Sequence, residues 1–150
     1  MAGAESYLLQ VRRSHDFNSL PWHDSKCGSM RVQPTDNVHE LILEVYLPAL
    51  KQANHSKRCV LTLIDCAYLE AAIDLDGKRI VGGALAAASC DVSSRWKDGL
   101  QKRSTFEKGN SLAPYLHFRF LFIHPGGEVN VLAKDFALVD EEGKDVVFPR

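Results

Sequence analysis

The sequence lacks most of the features that place a chain in a functional class at sight. Nowhere do its 150 residues approach the ~20 consecutive apolar residues that cross a bilayer as a helix. The longest apolar run, Gly82 to Ala88, is mostly Ala and Gly. No sign of charge dominates: 18 Lys and Arg stand against 19 Asp and Glu, net -1, which gives no global pull towards nucleic acid or an anionic membrane. The densest basic group, Arg95, Lys97, Lys102 and Arg103, is interrupted by Asp98. Cysteine is scarce: Cys27, Cys59, Cys66 and Cys90 form no Cys-x-x-Cys pair, and their spacing fits no closed tetrahedral zinc site. Cys59 and Cys66 would meet only across neighbouring strands, and small buried thiols are the simpler reading. Gly82-Gly83 and Gly126-Gly127 lack the Gly-Lys-Ser/Thr that clamps phosphate, and Ser29, Ser93 and Ser94 lack a Gly-x-Ser-x-Gly elbow. Tyr7-Leu8-Leu9 is too short for a signal-peptide core, and Arg12-Arg13 follow it rather than precede it. No repeat or low-complexity tract occurs. The expectation is a cytoplasmic chain with no nucleic-acid or membrane partner, no cofactor and no metal.

What is present is a core and a hairpin. A hydrophobic fraction of 45% suffices for a single β-rich domain without disulfides. Tyr115 to Ile123 places Phe118, Phe120 and Phe122 two residues apart, so the three rings share one face of a strand. His124-Pro125-Gly126-Gly127 is a turn, its glycines free to take positive φ, and Glu128 to Leu132 returns.

Around this hairpin the rest reads as strands and turns. Met1 to Ser14 is either a first strand or a short helix. His15 to Ser25 is irregular, because Pro21 removes a donor and restricts Leu20, while Phe17, Leu20 and Trp22 would anchor it. Cys27 to Val32 is a short strand, and Pro34 to Asn37 a turn. Leu41 to Leu47 alternates as a half-buried strand, and Lys51 to Arg58 is a loop. Cys59 to Ile64 is a strand. Ala67 to Leu75 has Ala and Leu content that allows a helix, but it is read as another strand because Asp76-Gly77 then makes a turn. Ala84 to Ala88 has the propensity for one or two helical turns. Trp96 to Asn110 is a polar connection. Phe136 to Val139 resumes a strand, and Val146 to Phe148 adds an edge. The sum is a mainly β fold, α+β with one short helix: an antiparallel sheet curled into a sandwich or partly open barrel.

Candidate chemistry is sparse. His23-Asp24 beside Trp22 is a pairing used for general bases and metal ligands, but neighbours in an extended chain point to opposite sides. His15-Asp16 repeats the dipeptide in a segment read as non-helical. Asp65-Cys66 with His55 or His117 would make a thiol–imidazole pair, yet an acid beside the thiol raises its pKa. Glu70, Asp74 and Asp76 are a candidate carboxylate cluster, and Asp74-Leu75-Asp76-Gly77 has the spacing of the start of a calcium loop, but Leu85 stands where the closing Glu belongs and a turn is the simpler reading. The catalytic candidates are therefore His23, Asp24 and His117, converging on one pocket if they act at all.

Phe17-Asn18-Ser19-Leu20-Pro21-Trp22-His23-Asp24-Ser25 resembles the amino-terminal phrase of a family of small bacterial proteins of unknown biochemistry. Asp65 to Ala71 and Val131 to Leu138 resemble later phrases of the same family. Related His-Asp-Ser proteins are immunity proteins of polymorphic toxin systems. The resemblance runs roughly from Phe17 to Leu138 and departs in Arg95 to Asn110. It implies a bacterial, cytosolic, non-enzymatic protein that binds a partner such as a cognate toxin, and it carries over no catalytic residue. The alternatives are a small enzyme or ligand-binding barrel built on the His/Asp site, and a homodimer formed through an exposed sheet edge.

Overall fold

The computed structural model describes residues 2–48, 56–73, 83–103, 111–124 and 126–146. The elements are α1 (Ala2–Asn18), β1 (Lys26–Thr35), β2 (Val38–Pro48), β3 (Ser56–Ile73), β4 (Gly83–Asp91), α2 (Arg95–Lys102), β5 (Leu116–His124) and β6 (Gly127–Asp140). The strands form one antiparallel sheet in the order β1-β2-β3-β6-β5-β4, which closes on itself through Lys26↔Ala84 and Cys27↔Gly83. Among the described residues, closure rests on these two pairs. The mainly β, antiparallel sheet expected from the sequence is thus observed; it curls into a ring, and it carries two helices, α1 and α2, where one short helix was expected.

The hairpin organises the core as its period predicts. Leu116, Phe118, Phe120 and Phe122 are buried inside the curl, while Arg119 and Ile123 face out. Gly126 and Gly127 hold φ of +88° and +140°, conformations that a side chain would strain. The residue between β5 and this pair, Pro125, lies outside the described residues. Phe17 enters the curl from the end of α1 at 0% exposure, 4.7 Å from the Trp22 ring, 5.1 Å from Phe118 and 5.2 Å from Phe136. Such edge and offset contacts add about 0.5–1.5 kcal/mol each beyond area burial. Arg13 fixes the same helix to β6: its Nε donates to Asp135 Oδ1 at 2.9 Å, an NH2 donates to the Phe136 carbonyl at 2.6 Å, and the guanidinium lies 4.2 Å from the Phe136 ring.

Five local expectations are corrected. His15 to Asn18 is helical, the last turn of α1; the restriction of Pro21 acts only after Ser19-Leu20 have left the helix. Gly83 to Asp91 is a strand, not a helix, because pairing with β5 outweighs alanine's helical propensity and small side chains let α1 lie against it. The polar stretch after Ser94 begins with α2, capped by Ser94 Oγ accepting from Lys97 N at 3.1 Å, with Trp96 and Leu100 one turn apart on the sheet-facing side. β6 runs unbroken through Lys134-Asp135. Cys59 and Cys66 share β3 rather than facing each other across strands, and all four cysteines are free thiols. At the end of the chain, Asp145 makes a single bridge to Val139; Phe148 lies outside the described residues, as do His55, Asp74 and Asp76.

Candidate functional site

The candidates His23, Asp24 and His117 do not assemble. His23 sits in the turn between α1 and β1, its side chain 77% exposed, with Nδ1 3.2 Å from the Ala86 carbonyl of β4. His117 lies on β5 opposite Asp91, five residues further along β4, which is roughly 16 Å at the rise of a strand. It is 4% exposed. Asp24 takes φ +67°, so this dipeptide is not extended, and its carboxylate reaches within 3.6 Å of His23 Nε2 on the open surface. An exposed pair of this kind adds little to stability.

His117 instead anchors a polar chain on the outer face of the hairpin. Asn130, diagonal to it on β6, donates its amide N–H to Glu128 Oε1 at 2.9 Å. Its carbonyl oxygen therefore faces the ring, 2.6 Å from Nε2, which makes Nε2 the protonated nitrogen. Nδ1 then accepts from Ser94 Oγ at 2.8 Å. Arg119 Nε closes the chain on Glu128 Oε1 at 2.7 Å and, with Asn130, holds that carboxyl below the usual range. Trp96 stacks on the imidazole at 4.4 Å. Burial pushes the ring's pKa down, against the upward pull of Asn130. The chain seats the N-terminus of α2 on the sheet. Leu100, Leu112 and Leu132 continue that contact as a second apolar cluster. Lys97, read from sequence as part of a basic group, is buried, with Nζ donating to the Val92 carbonyl at 2.8 Å.

A second place is open. The last β2–β3 pair is Leu41↔Leu63; from Ile64 to Ile73, β3 pairs only with β6 among the described residues. Asp65, at φ +55° in mid-strand, and the register shift between Cys66 and Tyr68 mark where the sheet splits. In the split lies a hollow of about 180 Å³, lined by Val32, Leu41, Cys66, Tyr68 and Leu69, with His39 and Glu40 at its side. Val32 is 56% and Leu69 38% exposed. Burial, with Asp65 and Glu40 nearby, pushes the Cys66 thiol up to about 11, so it is protonated at neutral pH and no nucleophile. Sequence reasoning named Cys66 only as a thiol and missed the hollow, whose signal is the end of β2 pairing rather than any motif.

Among the described residues, no group of three or more His, Cys, Asp and Glu is placed to hold a metal ion, and no helix is long and apolar enough to cross a membrane. No protein family, curated protein or solved structure matches the chain.

Proposed function

We propose that this chain is a protein-binding module whose contact surface is the split between β2 and β3. The observation that supports this reading is the run of strand edge beyond Leu63, which has no neighbouring strand on one side among the described residues and lies beside an apolar hollow. Exposed apolar residues grouped at one place mark partner surfaces more often than they occur idly. The Leu-Pro-Trp-His-Asp-Ser phrase gives the reading its narrower form, an immunity-type protein that covers a toxin. A photo-crosslinking amino acid at position 69 tests the reading in cells, with position 33 as control. One protein recurring at 69 and missing at 33 is the expected result; identical products at both positions would refute it. For the narrower form, the captured protein loses a measurable enzymatic activity when the purified chain is added at equal concentration.

A second reading has one observation in its favour. Ser94, His117 and Asn130 stand in the order hydroxyl, imidazole, amide that nucleophilic catalysis uses. The burial of the ring and the capping bond to Ser94 Oγ favour a structural role. A fluorophosphonate probe separates the two: stoichiometric labelling of Ser94 would establish a reactive serine, and the structural role leaves the native chain unlabelled.

A further inference from the structure

We propose that the partner presents one extended segment, which adds to the sheet along Cys66–Ile73 of β3 as a further strand, with an apolar side chain in the hollow and a basic side chain against Glu40 or Glu70. This inference rests on the protein-binding reading and names the chemistry of the occupant.

The comparison of three edges within the molecule carries it. An exposed edge offers a row of unpaired N–H and C=O groups, and proteins blunt such edges with charge, proline or a covering segment. The β4 edge is covered by α1: the Asn18 amide bonds both backbone groups of Cys90, at 2.9 and 2.8 Å, and Ser14 Oγ donates to the same carbonyl. Beyond Cys27 the β1 edge carries Arg31, Gln33 and Pro34. Among the described residues the β3 edge has neither protection. Its exposed residues are Ala67, Leu69, Glu70, Ala71 and Ala72, with no proline and one charge. Such an edge suits main-chain pairing, since small side chains let a second backbone approach to the ~4.8 Å of a neighbouring strand.

The hollow supplies what main-chain bonding lacks, which is selection among sequences. At about 180 Å³ it falls below the roughly 300 Å³ at which small-ligand pockets begin, and it suits a single apolar side chain. The charge is set by three acids. Asp65 is neutralised by Lys134 at 3.1 Å, whereas Glu40 and Glu70 enter no ion pair among the described residues. A second copy of this chain, pairing edge to edge, would bring each Glu70 towards its counterpart and set like charges together. A basic segment of another protein meets neither obstacle.

The test is selection of random octapeptides on the whole chain. The expected winners alternate apolar or β-branched residues with polar ones and carry Lys or Arg. N-methylation of alternate peptide amides weakens binding at least tenfold for one alternating set and leaves the other set unaffected, as only one set faces the sheet. Glu70→Lys lowers affinity for the basic winners at least tenfold while leaving the melting temperature unchanged. Leu69→Asp, which puts a charge beside the hollow, lowers affinity for all winners at least tenfold; should it prove unstable, Glu70→Lys carries the test alone. The proposal is overturned if no peptide is selected, if affinity ignores both N-methylation and E70K, or if E70K produces a dimer through this edge. A crosslinked partner at position 69 that persists through any of those outcomes would leave the binding reading standing and remove only strand addition.

Discussion

Asn18 and Cys90 are joined by two hydrogen bonds, Asn18 Nδ2 to the Cys90 carbonyl at 2.9 Å and the Cys90 N–H to Asn18 Oδ1 at 2.8 Å. One side-chain amide at the end of α1 thereby takes the place of a missing neighbour strand on β4. Asn18→Ala leaves both backbone groups without that partner, and removing partners from buried groups costs about 1–3 kcal/mol each when water cannot replace them. Asn18 lies at the surface, so water enters in part, and the expected loss is about 1–2 kcal/mol by urea denaturation. Hydrogen exchange at the Cys90 amide should rise in the same variant. A variant with wild-type stability would mean that Ser14, which also donates to the Cys90 carbonyl, suffices to seal the edge.

Phe17 tests whether α1 is part of the core or merely lies on it. Its ring is fully buried among Trp22, Phe118 and Phe136. Phe17→Ala should cost about 3–5 kcal/mol, the range for removing a buried phenyl ring. Near-ultraviolet circular dichroism should lose the signal of Trp22, whose indole donates to the Phe17 carbonyl at 2.7 Å. Leu8→Ala, at 67% exposure on the same helix, should change stability by less than about 0.5 kcal/mol. Equal losses in the two variants would contradict the burial pattern.

The buried imidazole gives the fold a pH dependence of known sign. Burial lowers the folded His117 pKa from its ordinary 6.5, while Asn130, Asp91 and Glu128 pull it up and Arg119 pushes it down. Below 6.5 the unfolded chain takes up a proton that the folded chain resists, so stability falls as pH falls. The contribution is complete above 6.5 and is lost as pH drops through the folded value. Urea midpoints at pH 7.5 and 5.5 should differ more for the wild type than for His117→Gln, which is less stable at the higher pH. Parallel changes in the two proteins would show that another group governs the acid response.

How much of this was legible follows from what each signal needs. The hairpin was readable because three phenylalanines at a period of two and a Gly-Gly turn are local features. Helix α2 was also written locally, in the Ser94 cap and the Trp96–Leu100 spacing, but charged residues between them hid it. In α1 the apolar residues Tyr7, Leu8, Leu9 and Val11 are all exposed, so no buried stripe existed to be read. β4 has the composition of a helix and is a strand only because β5 stands beside it. The site was the least legible part. The Asp76-Gly77 turn favoured a strand over a helix for Ala67 to Leu75, but the strand's free edge depends on where β2 stops pairing, a relation between distant segments. His117 and Asn130 meet through hairpin register, and neither forms a motif with the other.

Asp65 connects that register to the proposed surface. It holds φ +55° in the middle of β3, at the point where the strand parts from β2. Aspartate tolerates this region far better than a β-branched residue does. Its ion pair with Lys134 is partly exposed, at 27% and 46%, and such pairs contribute about 0–1 kcal/mol. The backbone conformation therefore outweighs the charge. Asp65→Asn should stay within about 1 kcal/mol of the wild type, while Asp65→Val should lose about 1–3 kcal/mol through strain. If the bend opens the hollow, D65V should also weaken binding of the selected octapeptides, and D65N should not. Equal stability and equal peptide affinity in D65N and D65V would show that the sheet splits for a reason other than the turn at residue 65.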